Sequence, residues 1–303
     1  MTIPRLSIII PTHNRHELVQ RAVRSVIDAL PDESEVIVID DGSDPPVRDS
    51  LAPWLDQSFF RLLRHEVPSG AARARNAGAM AAMGEILLFL DDDDEMIADY
   101  PARVLGIATN CTASFGFSSI FIRAPGEKDH VDGQRPYPSG IIPSQALLRH
   151  RISAFSAGFW VRREAFHAIG MIDPRQVVDE DTSLCCALLC RQESPWYEEK
   201  PGVIVYRLHS DKDSPSAQLT QNTPDHVTTD CYLRSWQNYQ GCFPALSEAR
   251  WFLAARYLRR LAKTDLGDRA RPFISSVRPR SLQCGLAGFW LAKRASRRLK
   301  RLI

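Results

Sequence analysis

No apolar run in the 303-residue chain approaches the roughly 18 residues that a membrane-crossing helix needs. No C-x-x-C pair occurs: seven cysteines are scattered, and the adjacent Cys185 and Cys186 make poor partners for each other. A strand-like run begins directly after Met1 to Arg5, where a secretory signal would stand. Together these features predict free thiols in a reducing cytoplasm. The turn after that first run is Pro11-Thr12-His13-Asn14, so the G-x-G-x-x-G of a dinucleotide-dependent oxidoreductase is missing, as is a glycine-rich nucleotidyl-transfer loop. Paired aspartates follow the second strand-like run and not the first, which argues against an aspartyl phosphatase or receiver domain. Acids are lacking altogether after Asp268, while ten bases follow it. The remainder holds 28 bases against 36 acids, so the net charge of +2 conceals an acidic body and a basic tail.

What is present reads as an ordinary globular protein. Apolar content of 44% and charged content of 24% suit one large domain or two closely joined ones. Leu6 to Ile10 and Val36 to Ile39 are short apolar runs suited to buried strands. Between them Leu18, Ala22, Val26, Ile27 and Leu30 recur at helical spacing, with Asn14 placed to cap the helix. Strand, helix and strand within about forty residues imply a right-handed parallel crossover. Phe60 to Leu63 predicts a third strand, and Gly70 to Met83 a small-residue helix able to approach the sheet closely.

The most informative stretch is Ile86 to Leu90, an apolar run that ends abruptly in Asp91-Asp92-Asp93-Asp94-Glu95. A run this short suits a strand covered on both faces, which leaves the acids at its C-terminal edge, where open α/β sheets bind ligands. In an extended continuation Asp91 and Asp93 would point one way and Asp92 the other. Crowded carboxylates repel unless a cation sits among them, and oxygen-only ligands favour Mg²⁺ or Mn²⁺ over zinc. The competing reading is a solvated acidic loop. Further on, Phe115 to Arg123 and Phe155 to Val161 predict strands, with a loop over 124–143. Arg163 to Ile169 and Thr182 to Arg191 predict helices, Val203 to Tyr206 a strand, Ser210 to Thr223 a polar loop, and His226 to Leu261 helix.

Six stretches, in order, resemble the inverting GT-A glycosyltransferases of family 2. They are Ser7 to Arg15; Val38 to Ser43; Ala74 to Gly78 with Gly84-Glu85; Leu90 to Asp94; Arg163 to Phe166 through Gly170 to Asp173; and Glu180-Asp181. The resemblance covers about the first 210 residues. It implies a Rossmann-like mixed α/β sheet flanked by helices, with a mainly helical C-terminal extension. The expected organisation is a nucleotide-sugar-binding part over 1–99, an acceptor-binding part over 100–225, and a helical extension with a basic tail over 226–303.

By the same resemblance, Pro11, Thr12, Arg15, Asp41, Arg75 and Asp92 would contact the nucleotide, with Asp41 reading a uracil-like base and Asp92 near the ribose. Asp91, Asp93 and His209 would bind the metal. Asp181 would be the base that takes the acceptor hydroxyl's proton. Plain alternatives stand beside these: turn chemistry for Asp40 and Asp41, Arg73 in place of Arg75, a structural role for His209, and capping of the next helix by Asp179 or Asp181. The activity implied is metal-dependent transfer from a nucleotide-sugar, by family habit a UDP-sugar, to a glycan, lipid-linked or other hydroxyl acceptor. A non-catalytic nucleotide-sugar binder in a glycan-building complex is the alternative.

The tail from Gln283 predicts a helix with an apolar stripe of Leu282, Leu286, Phe289 and Trp290. Three fates compete for it: resting on the anionic inner face of the cell membrane, packing on the body, or binding nucleic acid. The last lacks a motif or interleaved stacking aromatics, so no nucleic-acid partner is expected.

Overall fold

The computed structural model describes residues 4–132, 134, 136–143, 155, 158–207 and 223–300. Four parallel strands open the chain: β1 (Leu6–Thr12), β2 (Ser34–Asp41), β3 (Phe60–His65) and β4 (Ile86–Phe89), lying side by side as β3-β2-β1-β4. β1 runs through Pro11, which was expected to stop it; Pro11 keeps register with Ile39. The rest of the sheet mixes directions. β9 (Trp160–Arg162) fits antiparallel between β4 and β6 (Phe115–Arg123), which pairs in parallel with β10 (Pro195–Tyr206). Three short strands lie at the margins: β5 (Glu95–Met96) and β8 (Gly140–Ile141) on β10, and β7 (His130–Asp132) on β6.

Side chains alternate across the parallel strands and so build two cores. Ile8, Ile10, Val36 and Val38 meet α1 (His16–Ile27) and α3 (Tyr100–Asn110) on one face. Ile9, Ile37 and Ile39 meet α2 (Ala71–Ala81) on the other. The close approach of α2 is fixed at Gly78, where an added Cβ would fall 2.6 Å from Ile9 and 2.7 Å from Ile39. The buried face of α1 is Val19, Ala22, Val23 and Val26; of the expected stripe, Ala22 and Val26 are buried, Ile27 and Leu30 pack partly against the same core, and Leu18 gives way to Val19 and Val23. Asn14 does not cap α1: at φ +55° its side chain accepts from the N–H of Asp44, linking the turns that follow β1 and β2.

The second core continues through α4 (Arg163–Ala168) and α5 (Glu180–Cys190) into the C-terminal helices α6 (Asp225–Tyr239), α7 (Glu248–Leu261), α8 (Ala270–Ser276) and α9 (Arg280–Lys300). The α9 stripe lies on the body: Leu282, Leu286 and Trp290 are buried, and Phe289 stands edge-on to Trp251 at 5.9 Å. Burying each such side chain is worth about 1.5–3 kcal/mol, enough to seat the helix. Cys190 and Cys242 form a disulfide, contrary to the expectation of free thiols throughout; α5 and the turn after α6 bring together residues 52 apart in sequence. Among the described residues no helix is long and apolar enough to cross a membrane.

Candidate active site at the C-terminal edge of the sheet

β4 stops at Phe89, opposite Ile9 and three residues before β1 ends at Thr12, and the acids after it do not stay extended. The N–H of Asp94 donates to the carbonyl of Asp91 at 3.2 Å and closes a turn. The turn gathers Asp91, Asp93 and Asp94, one oxygen of each lying within 4.8 Å of the others. Simple alternation would have sent Asp94 with Asp92. Asp92 instead stands apart from the cluster, accepting from the Thr12 hydroxyl at 2.7 Å and from Arg15 at 2.8 Å, and Arg15 also reaches Asp93 at 3.2 Å.

Burial, with the charges of Asp91 and Asp93 added, lifts Asp94 well above the usual carboxylate range. Burial and then Asp91 raise Asp93, while burial carries Asp92 up to about 6 against the pull of Arg15. Three converging carboxylates, two of them pushed above the ordinary carboxylate range, form a donor set that a hard divalent cation would relieve. Oxygen donors alone fit Mg²⁺ or Mn²⁺.

Arg75 joins this turn to a second acidic segment. Its side chain is only 6% exposed, its guanidinium donates to Asp91 at 2.6 Å and meets Glu180 at 3.5 Å, and it lies 4.0 Å over the Phe155 ring. Glu180 and Asp181 stand in the first turn of α5, and an Asp181 oxygen accepts from the N–H of Thr182 at 2.7 Å. Burial lifts Glu180 to about 7, with Arg75 opposing and Asp181 adding to the rise. Asn76, beside Arg75, exchanges two hydrogen bonds with the backbone of Ile172, which ties the 170–173 segment to α2.

The paired aspartates at the end of β2 have separate duties. Asp40 accepts from the N–H groups of Ser43 and Val47 and from Arg64, which is turn chemistry. Asp41 accepts from His65, from the N–H and hydroxyl of Ser69 and from the N–H of Gly70, at the N-terminus of α2. Burial would raise Asp41, but these bonds win and hold it below the ordinary value. Pro11 and Thr12 are buried beside it at the end of β1. His209 lies outside the described residues. Asp94, signalled only by the unbroken acidic run, joins the two aspartates expected at the metal, and Glu180, expected only as a fallback base beside Asp181, is the residue that meets Arg75.

A mixed sheet in this order, with acids and a buried arginine at its C-terminal edge and helices appended, is the GT-A fold. Among solved structures, S. aureus TarS residues 1–349 in complex with UDP-GlcNAc superposes with a TM-score of 0.70 at 14% identity, covering 96% of this chain and 89% of that one. GalNAc-T7 with UDP, GalNAc and Mn²⁺ gives 0.59 at 20% identity, covering 84% and 51%. The family model for glycosyl transferase family 2 matches residues 7–170, and the chain belongs to that family. Relatives include a Haemophilus influenzae uncharacterized glycosyltransferase, 28% identical over 73% of this chain and 75% of that protein. The Escherichia coli "Putative colanic acid biosynthesis glycosyl transferase WcaA" is 34% identical over 69% and 74%. The Campylobacter jejuni GalNAc(5)-diNAcBac-PP-undecaprenol beta-1,3-glucosyltransferase is 34% identical over 42% and 40%.

Proposed function

We propose that this glycosyltransferase is divalent-metal-dependent and inverting, moving a sugar from a UDP-sugar to a hydroxyl acceptor in polysaccharide or glycoconjugate synthesis. The observation that carries the reading is the convergence of Asp91, Asp93 and Asp94, joined through Arg75 to the Glu180-Asp181 pair. The three aspartates, with His209 by family resemblance, would hold Mn²⁺ or Mg²⁺, which when bound neutralises charge developing on the departing diphosphate. Arg75 presents a planar cation to the same side. Thr12 and Arg15 orient Asp92 toward the ribose. Pro11 and Asp41 flank the base, and a ring N–H there would exchange with one of the donors Asp41 now accepts. Asp181, at the mouth of α5, takes the acceptor proton. Support for the donor class comes from the UDP-GlcNAc and UDP complexes of the structural neighbours, and for a lipid-linked acceptor from the undecaprenol-linked name of the Campylobacter relative.

Thermal shift and calorimetry with UDP, GDP and dTDP, each with and without Mn²⁺, test this. Mn²⁺-dependent stabilisation by UDP is expected, about 2.7 kcal/mol at a hundred times Kd. No Mn²⁺-dependent association with any nucleoside diphosphate would sink the reading.

We further propose that the basic end of α9 meets an anionic bilayer. Lys293 and Arg294 are exposed, and the apolar stripe is already used by the body, so contact would be electrostatic and salt-sensitive. Each base near the lipid is worth about 1 kcal/mol. Cosedimentation with phosphatidylglycerol vesicles should fall in the doubly substituted Lys293→Glu, Arg294→Glu chain; equal partitioning defeats the idea.

A further inference from the structure

Asp179 is an unusual residue for its place. It stands immediately before Glu180 and Asp181 with φ +65° and ψ +18°, the left-handed region that costs a non-glycine residue energy unless its surroundings fix it. Its side chain, 1% exposed, points away from the site into the C-terminal helices. There one oxygen pairs with Arg256 of α7 and the other accepts from the hydroxyl of Ser235 of α6 at 3.2 Å. Arg256 is itself fixed, its guanidinium 4.9 Å from the Tyr232 ring and 5.3 Å from that of Phe252. The approach to Asp179 is hooked on the same helices. Gln176 donates to the Cys231 carbonyl at 3.0 Å and to Ser235 at 3.1 Å, and Arg234 donates to the carbonyl of Arg175 at 2.7 Å. From Asp179 the α5 ladder begins, its carbonyl accepting from the N–H of Ser183 at 3.0 Å.

The segment carrying Glu180 and Asp181 is thus held at two points: Arg75 grips Glu180 from the nucleotide side, and Arg256 grips Asp179 from the far side. We propose that Arg256 is a positioning residue, through which the C-terminal helices fix Asp179 and set where Asp181 meets the acceptor hydroxyl. The inference rests on Asp181 being the base. A displaced base costs rate in proportion to lost alignment, and misplacement by about 1 Å can cost 10²-fold. Donor binding, made at the other end of Arg75, does not depend on this clamp.

Two variants carry the test. Asp179→Asn keeps an acceptor for Ser235 and a residue tolerant of positive φ, so it preserves the fold while weakening the Arg256 contact. Arg256→Met removes the cation and keeps an apolar stem against Tyr232 and Phe252. Both should lower kcat for transfer by about 10- to 100-fold while the Kd for UDP with Mn²⁺, read by calorimetry, stays within about twofold. Combined with Asp181→Asn, Arg256→Met should add little, because a missing base cannot be further misplaced. Parental kcat in folded Asp179→Asn overturns the proposal. So does a kcat loss matched by lost UDP affinity, or full multiplication of the Arg256 and Asp181 effects, either of which marks a general structural role. If Asp181→Asn alone transfers normally, the base assignment fails. The clamp is then judged by the split between kcat and UDP affinity in the two single variants.

Discussion

Two acidic segments face Arg75, and they are neutralised in opposite ways. At the end of β4, four consecutive aspartates share Arg15 and Arg75, with Arg21 donating to the Asp93 carbonyl, and among the described residues Asp94 accepts only from the N–H of Tyr206, at 3.2 Å. At the start of α5, Asp179 has Arg256 and Glu180 has Arg75, cations brought by the fold itself. Both segments stay short of positive charge, since burial also lifts Asp179 and Glu180 to about 7, but the second is gripped from two sides by arginines of the fold. Converging carboxylates that leave room for an ion suit a ligand from outside, whereas carboxylates each held by an arginine of the fold suit a fixed geometry. That contrast divides the proposed roles: charge neutralisation at the β4 turn, alignment and proton transfer at α5.

The contrast is broken most severely by removing the first cluster's capacity to hold a cation. Asp93→Ala, or chelation of the parent, should lower transfer by about 10⁴-fold or more, since a bound metal supplies several kcal/mol of charge stabilisation. Mn²⁺-dependent UDP binding should vanish with it. Undiminished binding in Asp93→Ala would show that the turn is only a solvated acidic loop. Next in size is Asp181→Asn, expected to lower transfer by about 10²- to 10⁴-fold while leaving UDP affinity with Mn²⁺ intact. Near-normal turnover there would move the base to Glu180 or Asp179.

The first segment was readable because everything that defines it is local. A buried apolar run stopping at consecutive acids states both the strand and its edge, and β6 was likewise bounded by its own residues. Local pattern failed where partners decide. β9 was expected over 155–161 and lies at Trp160–Arg162, and β10, expected over 203–206, begins at Pro195 and runs through a charged stretch, because strand preference depends on the neighbours a sheet supplies. β5, β7 and β8 are two or three residues long, too short for periodicity to register. Asp179 and Arg256 lie 77 residues apart, and no spacing rule links them. The bond between Cys190 and Cys242 was hidden for the same reason, since cysteine spacing alone does not give connectivity. Asp94 was visible in the run, but its side was misread because a turn replaces the alternation of an extended chain.

A subtler probe of the same contrast uses pH. Burial, opposed by Arg75, raises Glu180 from 4.5 to about 7 in the folded chain. The folded protein then binds more protons than the unfolded one between those values, so this group's stabilising share is complete below the unfolded pKa and is lost as pH rises through about 7. Glu180→Gln cannot titrate. Without divalent ions, the difference in Tm, variant minus parent, should therefore climb as pH goes from about 5 to 8 and level off beyond, by a few degrees for a chain of this size. Other raised carboxylates, Asp92 and Asp94 among them, impose slopes of the same sign on both proteins and cancel in the difference. A flat difference would mean that Arg75 compensates Glu180 fully, whereas a falling one would mean that the ion pair outweighs burial. Either result would run against the expected climb, show the α5 segment to be internally neutralised and confine unsatisfied charge to the turn after β4.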